Sequence, residues 1–241
     1  MRPEGEARYL IVNADDFGLT RGVNQGIIEA HEHGIVTSAS LMVRYPTAGE
    51  AADYARTHLD LSVGLHFDLG EWRYHNGQWA AAYQVVASSD PEAVEAELER
   101  QLARFEHLLG CAPNHLDSHQ HVHQSEPSRS LLLGCASKLR VPLRDSSRRV
   151  SYCGRFYGQT AEGEPLPAGI SHDGLRNIVR ALAPGWTELG CHPGYAEGLD
   201  SVYLTEREEE LRTLCSSETR QLLDEYRVEL RSFRHLKSCG S

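Results

Sequence analysis

The sequence lacks any apolar run long enough to cross a bilayer, so an integral membrane protein is not the expected class. It is also short of cations. Lys and Arg number 24 against 34 Asp and Glu, a formal net charge of −10, and no basic stripe offers phosphate neutralisation. A nucleic-acid partner is therefore disfavoured, as is docking on an anionic membrane. The six cysteines, Cys111, Cys135, Cys153, Cys191, Cys215 and Cys239, form no Cys-x-x-Cys pair. That excludes a zinc ribbon and argues against a disulfide frame; reduced thiols in a cytoplasm fit better, with Cys191 read as a buried thiol on a strand. Residues 1–8 are polar, without the apolar stretch of a signal peptide. Repeats, low-complexity segments and dividing linkers are missing. With 40% apolar and 24% charged residues, the expectation is one soluble, cytoplasmic domain over 1–241.

What is present is a strand–helix rhythm repeated about seven times. The apolar run at 9–12 reads as a buried strand. Thr20 caps a helix to His33, with Gly34 as its stop. Strands follow at 35–43 and 59–67, with a helix over 47–58 between them. Residues 70–88 break the rhythm as an aromatic-rich insertion (Trp72, Tyr74, Trp79, Tyr83) that either faces a ligand or roofs the core. Asp90-Pro91 opens a helix that ends at Gly110. Later come a strand end at 115–118, a helix over 131–139, a strand-like 141–145, a polar, Gly/Pro-rich loop with local strand over 146–170, a helix over 173–182 and a strand over 187–192. Thr205 with Glu208 reads as a capping box, another helix starts at Ser217, a last strand covers 227–233, and a frayed tail follows Leu236. Such alternation implies mostly parallel strands, in a barrel or an open doubly wound sheet, with functional residues beyond the strands' carboxyl ends.

Those ends carry metal-capable and acid–base residues repeatedly: Asp15 and Asp16, then His66, then Asp117 and His119, then Arg144 and Asp145, then His192. Residues 114–123 read Asn-His-Leu-Asp-Ser-His-Gln-His-Val-His. In an extended segment His119, His121 and His123 share a face. Asp16, His66 and His119 supply a site of one carboxylate and two imidazoles with positions left open. Asp15 is then a candidate base, His192 a candidate acid, and Arg144 a cation holding Asp15 ionised. Each has a duller alternative. The aspartates cap a turn, His66 is a satisfied core histidine, His192 shapes the turn at Pro193-Gly194, and Arg144 pairs with Asp145. His121 and His123 remain open as outer partners, substitute ligands or solvent-facing side chains.

Four blocks, Asn13-Ala-Asp-Asp-Phe-Gly18, Gly64-Leu-His66, His115-Leu-Asp-Ser-His-Gln-His-Val-His123 and Cys191-His-Pro-Gly194, resemble the YdjC-like carbohydrate deacetylases and occur in that family's order. The resemblance implies a distorted β/α barrel of about seven mostly parallel strands, related to NodB-type deacetylases. It implies a divalent metal, magnesium with zinc as the alternative, on Asp16, His66 and His119. Asp15 would be the base, His192 the acid, and Arg144, Asp117 and His121 supporting or substrate-binding residues. The substrate would be an acetylated amino sugar, such as a chitooligosaccharide or a related glycoconjugate, and the assembly a homodimer. Asp68 departs from the apolar residue usual in relatives and is expected to face the site. Two rivals stand beside this reading: a non-haem iron oxygenase with the same ligand set, and a sugar- or metal-binding barrel without catalysis.

Overall fold

Each buried strand is followed by a helix that returns the chain to the same end of the sheet, so successive strands pair in parallel. The computed structural model describes residues 7–75 and 78–239. The first half holds β1 (Arg8–Phe17), α1 (Arg21–Glu32), β2 (Ser38–Leu41), α2 (Ala48–Thr57), β3 (Ser62–Phe67), β4 (Gly70–His75), β5 (Gln78–Gln84), α3 (Pro91–Leu109) and β6 (Leu116–Ser118). A 3-10 turn (His119–Gln124) then leads to α4 (Ser128–Leu139), β7 (Val150–Cys153), α5 (Pro167–Ile170), α6 (His172–Ala181), β8 (Gly185–Cys191), α7 (Thr205–Cys215), α8 (Ser217–Tyr226) and β9 (Val228–Leu230). The expected signal-free segment at 1–6 lies outside the described residues.

Seven strands form one parallel sheet in the order β6-β3-β2-β1-β8-β7, with β9 also on β1. One side of β1 is shared: Arg8–Leu10 pair with β9 and Asn13–Phe17 with β2. The sheet curls as an incomplete barrel, and Leu143 adds a single bridge beside Leu116. The strand-like 141–145 is reduced to that bridge.

Strand periodicity divides β1 between two environments. Leu10, Val12 and Ala14 join the main core with Ile27 of α1 and Leu189 of β8. Ile11 faces the inside of the curl with Val150, Phe233 and Leu236. Asn13 and Asp15 continue that inner row toward the carboxyl end. The base of the barrel is thus apolar and its mouth polar. Each fully buried Leu, Ile or Val contributes about 1.5–3 kcal/mol relative to exposure.

Local signals account for most helix ends. Thr20 accepts from Val23 N at 3.2 Å, and Asp90 accepts from Glu92 N and Ala93 N at 3.1 and 3.2 Å. Gly110 ends α3 at φ 69°, where a Cβ would be strained. The capping box at Thr205 does not form. Leu204 precedes α7 without a side-chain cap, and Glu206 rather than Glu208 takes Leu204 N at 3.1 Å. Of the tail expected after Leu236, residues 237–239 close a 3-10 segment, Phe233–Cys239, and 240–241 lie outside the described residues; Phe233 and Leu236 of that segment plug the barrel base.

Candidate functional site

The carboxyl end of β1 is bent by a register shift between Ala14 and Phe17, and Asp16 adopts φ 68°. Aspartate tolerates this left-handed conformation better than most residues, and a bulge re-aims side chains. Asp15 and Asp16 consequently both reach the barrel mouth, although an unbroken strand would point them to opposite faces.

Asp16 Oδ1 lies 3.5 Å from His66 Nε2 at the end of β3 and 3.3 Å from His119 Nδ1 just after β6. Their candidate ligand atoms lie within 4.8 Å of one another. Asp16 Oδ1 is buried and takes no hydrogen bond among the described residues. An unpaired buried carboxylate oxygen is costly, and a cation between these three atoms would satisfy it. The other oxygen is occupied: Arg207 of α7 donates to Asp16 Oδ2 at 2.5 Å. Burial opposes ionisation of Asp16, yet Arg207 and the two imidazoles hold its carboxyl well below the usual range.

Asp117 stands behind His66, its Oδ1 2.8 Å from Nδ1. That contact holds one proton on Nδ1 and turns Nε2 toward Asp16 Oδ1 as the prospective ligand atom. Burial lowers the pKa of His66, but the charges of Asp117 and Asp15 outweigh it and carry it to about 10. Burial likewise opposes charge on His119, which Asp16 and Glu71 raise to about 9. Both imidazoles therefore hold protons that a cation would displace.

A second carboxylate cluster is already neutralised. Arg144, 3% exposed, donates to both oxygens of Asp15 at 2.6 and 2.7 Å. It also lies 2.8 Å from Asp117 and 2.7 Å from Glu188. Asp15, His66 and Asp117 are close enough to suggest a second metal group, but the guanidinium fills that role. Burial pushes Asp15 up, and Arg144 more than reverses it, so its carboxyl stays below the ordinary value. Burial pushes Glu188 up to about 7 despite Arg144. The Arg144–Asp145 pairing does not arise.

His192 follows β8 on the other flank, with Nε2 3.8 Å from Asp15 Oδ2. Its backbone N donates to Glu210 Oε2 at 2.5 Å, and its Nδ1 finds no hydrogen bond among the described residues. Burial lowers its pKa to about 4. The next turn packs tightly on α1: a Cβ on Gly26 would meet Gly194 Cα at 2.4 Å. Together these groups floor a cavity of about 870 Å³.

The remaining histidines diverge. Residues 119–124 are not extended. Gln120 and His121 have φ of 48° and 55°, so His119, His121 and His123 do not share a face. His121 lines the cavity beside Tyr152, at 5.6 Å between rings. His123 is buried, its Nδ1 2.6 Å from Ser118 Oγ. His115 lies under the site, stacked on Phe233 and 3.0 Å from Ser40 Oγ. Asp68 does not line the cavity. It takes bonds from Arg44 at 2.6 Å and from Tyr83 at 2.9 Å, tying β5 to the sheet. Arg207, Glu188, Glu210 and Glu71 were not singled out from the sequence, since each reaches the site from a helix, a strand interior or the hairpin.

The family model described as YdjC-like protein matches residues 9–225. A carbohydrate deacetylase from Geobacillus stearothermophilus is 33% identical, over 94% of this chain and 97% of its own. A chitooligosaccharide deacetylase from Serratia marcescens is 32% identical, over 95% of this chain and 99% of its own. Among solved structures, an Enterococcus faecalis protein provisionally described as acting in cellobiose-phosphate cleavage superposes with a TM-score of 0.77 at 25% identity, covering 95% of this chain and 99% of that one. A family 4 carbohydrate esterase from Streptomyces lividans shares the fold, with a TM-score of 0.55 at 12% identity over 93% of this chain and 92% of that one.

Proposed function

The chain belongs to the YdjC-like family, and from that premise we propose that it hydrolyses the N-acetyl amide of an acetylated amino sugar, releasing acetate and a free amine. The observation that carries this reading is the unpaired Asp16 Oδ1, aimed at two imidazole nitrogens beside a separately ionised Asp15. Asp16, His66 and His119 would hold a divalent cation, which when bound polarises a carbonyl and acidifies water. Two imidazoles and one carboxylate suit zinc, cobalt or manganese better than magnesium, which prefers oxygen donors.

This chain's own groups then divide the proton work. Asp15, kept anionic and oriented by both arms of Arg144, takes a proton from the water that adds to the acetyl carbon. His192 is neutral at rest because burial holds it near 4. It lies 3.8 Å from Asp15, placed to relay that proton to the nitrogen as the C–N bond breaks. The sum is one water consumed, one acetate and one amine formed. Asp117 keeps the His66 tautomer, and Arg207 leaves Asp16 a single free oxygen.

A parallel β/α sheet with an acid–base pair beside the ligand set does not favour the oxygenase reading. A binding-only barrel has no use for an ionised Asp15 beside His192. The test is acetate release from N-acetylated amino sugars before and after chelation, with metal added back. Turnover abolished by chelator and restored by metal supports the proposal. No acetate from any N-acetylated sugar with metal supplied overturns it.

A further inference from the structure

Within residues 70–88, β4 (Gly70–His75) and β5 (Gln78–Gln84) pair antiparallel and are set over the cavity. The base of the pair is held firmly. Gln120 bonds both the N and the O of Trp72 at 2.8 Å, and Arg73 reaches Asp200 at 3.2 Å across the mouth. Tyr83 is fixed by Asp68 and by Tyr45. Its outer end is different. Tyr74 and Trp79 are paired in register, with ring centroids 5.5 Å apart and planes at 59°. Trp79 is 60% exposed and Tyr74 38%, so their pairing leaves most of the indole uncovered. Both line the same cavity as Asp16 and His119. A roof built only for packing would bury both its indoles; this one partly covers Trp72 and holds Trp79 out on a braced ribbon.

We propose that Tyr74 and Trp79 form a second sugar subsite, one that stacks the ring linked to the N-acetylated residue. The proposal rests on the deacetylase reading above. A pyranose has an apolar face of C–H groups that packs on an aromatic ring while its hydroxyls stay hydrated at the rim. The reach is appropriate. Glu71 lies 3.9 Å from His119, and Tyr74 is three residues further along an extended strand, about 10 Å at roughly 3.3 Å per residue. That is beyond a ring whose acetamido group sits at Asp16 and within reach of its neighbour. The cavity, about 870 Å³, lies toward the upper end of the roughly 300–1,000 Å³ of small-molecule sites and exceeds what one N-acetylated pyranose fills. Thr160, Glu162 and Ser201 on the facing wall offer polar partners for hydroxyls. Because the hairpin base is braced, little ordering is required on binding.

The test compares kcat/KM for N-acetylglucosamine and for its β-1,4-linked dimer in the wild type, Trp79→Ala and Trp79→Phe. The subsite predicts that Trp79→Ala lowers dimer kcat/KM about tenfold through KM, with kcat within about twofold, and leaves the monosaccharide unchanged; Trp79→Phe recovers most of the loss. Equal losses on both substrates, or none on the dimer, overturn it. Tryptophan fluorescence gives an independent readout: the dimer, unlike the monosaccharide, quenches the wild type, and the quench is lost in Trp79→Phe. Acetate release from neither of these sugars nor from any other N-acetylated sugar with metal supplied would sink the deacetylase reading alone, and the subsite would then stand or fall on that quench.

Discussion

Arg144→Met removes the cation shared by Asp15, Asp117 and Glu188 while keeping an unbranched side chain of comparable length. All three carboxylates and Arg144 itself are buried, at 3% exposure or less. Breaking a buried pair on one side costs about 3–5 kcal/mol, because the partner charge is left uncompensated. Here three partners lose it, although His66 still faces Asp117 at 2.8 Å. The loss should therefore be about 3–5 kcal/mol by urea unfolding at pH 8. The pH dependence carries the sharper content. Asp15 and Asp117 are depressed in the folded wild type. Their stabilising contribution is present above the ordinary carboxylate range and is lost only as pH falls through their lowered values. In the variant, burial is opposed by His66 without Arg144 and these carboxyls rise, so acid relieves the variant between pH 8 and pH 5 more than the wild type, in which Glu188, near 7, takes up its proton over the same window. The stability gap should narrow over that window; the contribution of His66, raised to about 10 and lost only as pH rises toward that value, is largely common to both proteins. Adding Glu188→Gln, which removes one stranded acid, should recover about 1 kcal/mol. A loss below about 1 kcal/mol at pH 8, or a gap that widens in acid, would refute the shared-cation account.

Two further outcomes follow from the same contacts. Asp117→Asn weakens the hydrogen bond that orients His66, so divalent-metal affinity by calorimetry should fall roughly 10–100-fold with the ligands intact; unchanged affinity would remove Asp117 from that role. Metal binding must displace one proton from each of His66 and His119, whose values the neighbouring carboxylates raise to about 10 and about 9, so the association constant should rise with pH from 6 to 8, by up to about a hundredfold per unit if both protons leave. A flat profile would mean that those imidazoles do not ligate.

The alternation of apolar runs and capped helices made the parallel sheet legible, because burial and periodicity are local in the chain. Strand exits also pointed to the barrel mouth, since parallel topology brings them to one end. What could not be read was orientation. Nothing in Asn-Ala-Asp-Asp announces the left-handed Asp16 that turns both carboxylates inward. The histidine cluster looked like an extended run with one common face, but two consecutive positive φ angles send His121 and His123 elsewhere. Arg207 and Glu188 carry no local mark. They matter because a helix 191 residues from Asp16 and the interior of β8 pack against the same mouth. Asp68 was readable as an oddity, though not as the anchor of β5, because its partners Arg44 and Tyr83 lie on other elements.

The central claim separates two adjacent aspartates, Asp16 for the cation and Asp15 for the proton. The direct measurement is metal content and acetate release in Asp15→Asn. The account predicts about one equivalent of metal retained, as in the wild type, with acetate release reduced by roughly 10²-fold or more. Near-wild-type acetate release from metal-loaded Asp15→Asn would contradict it.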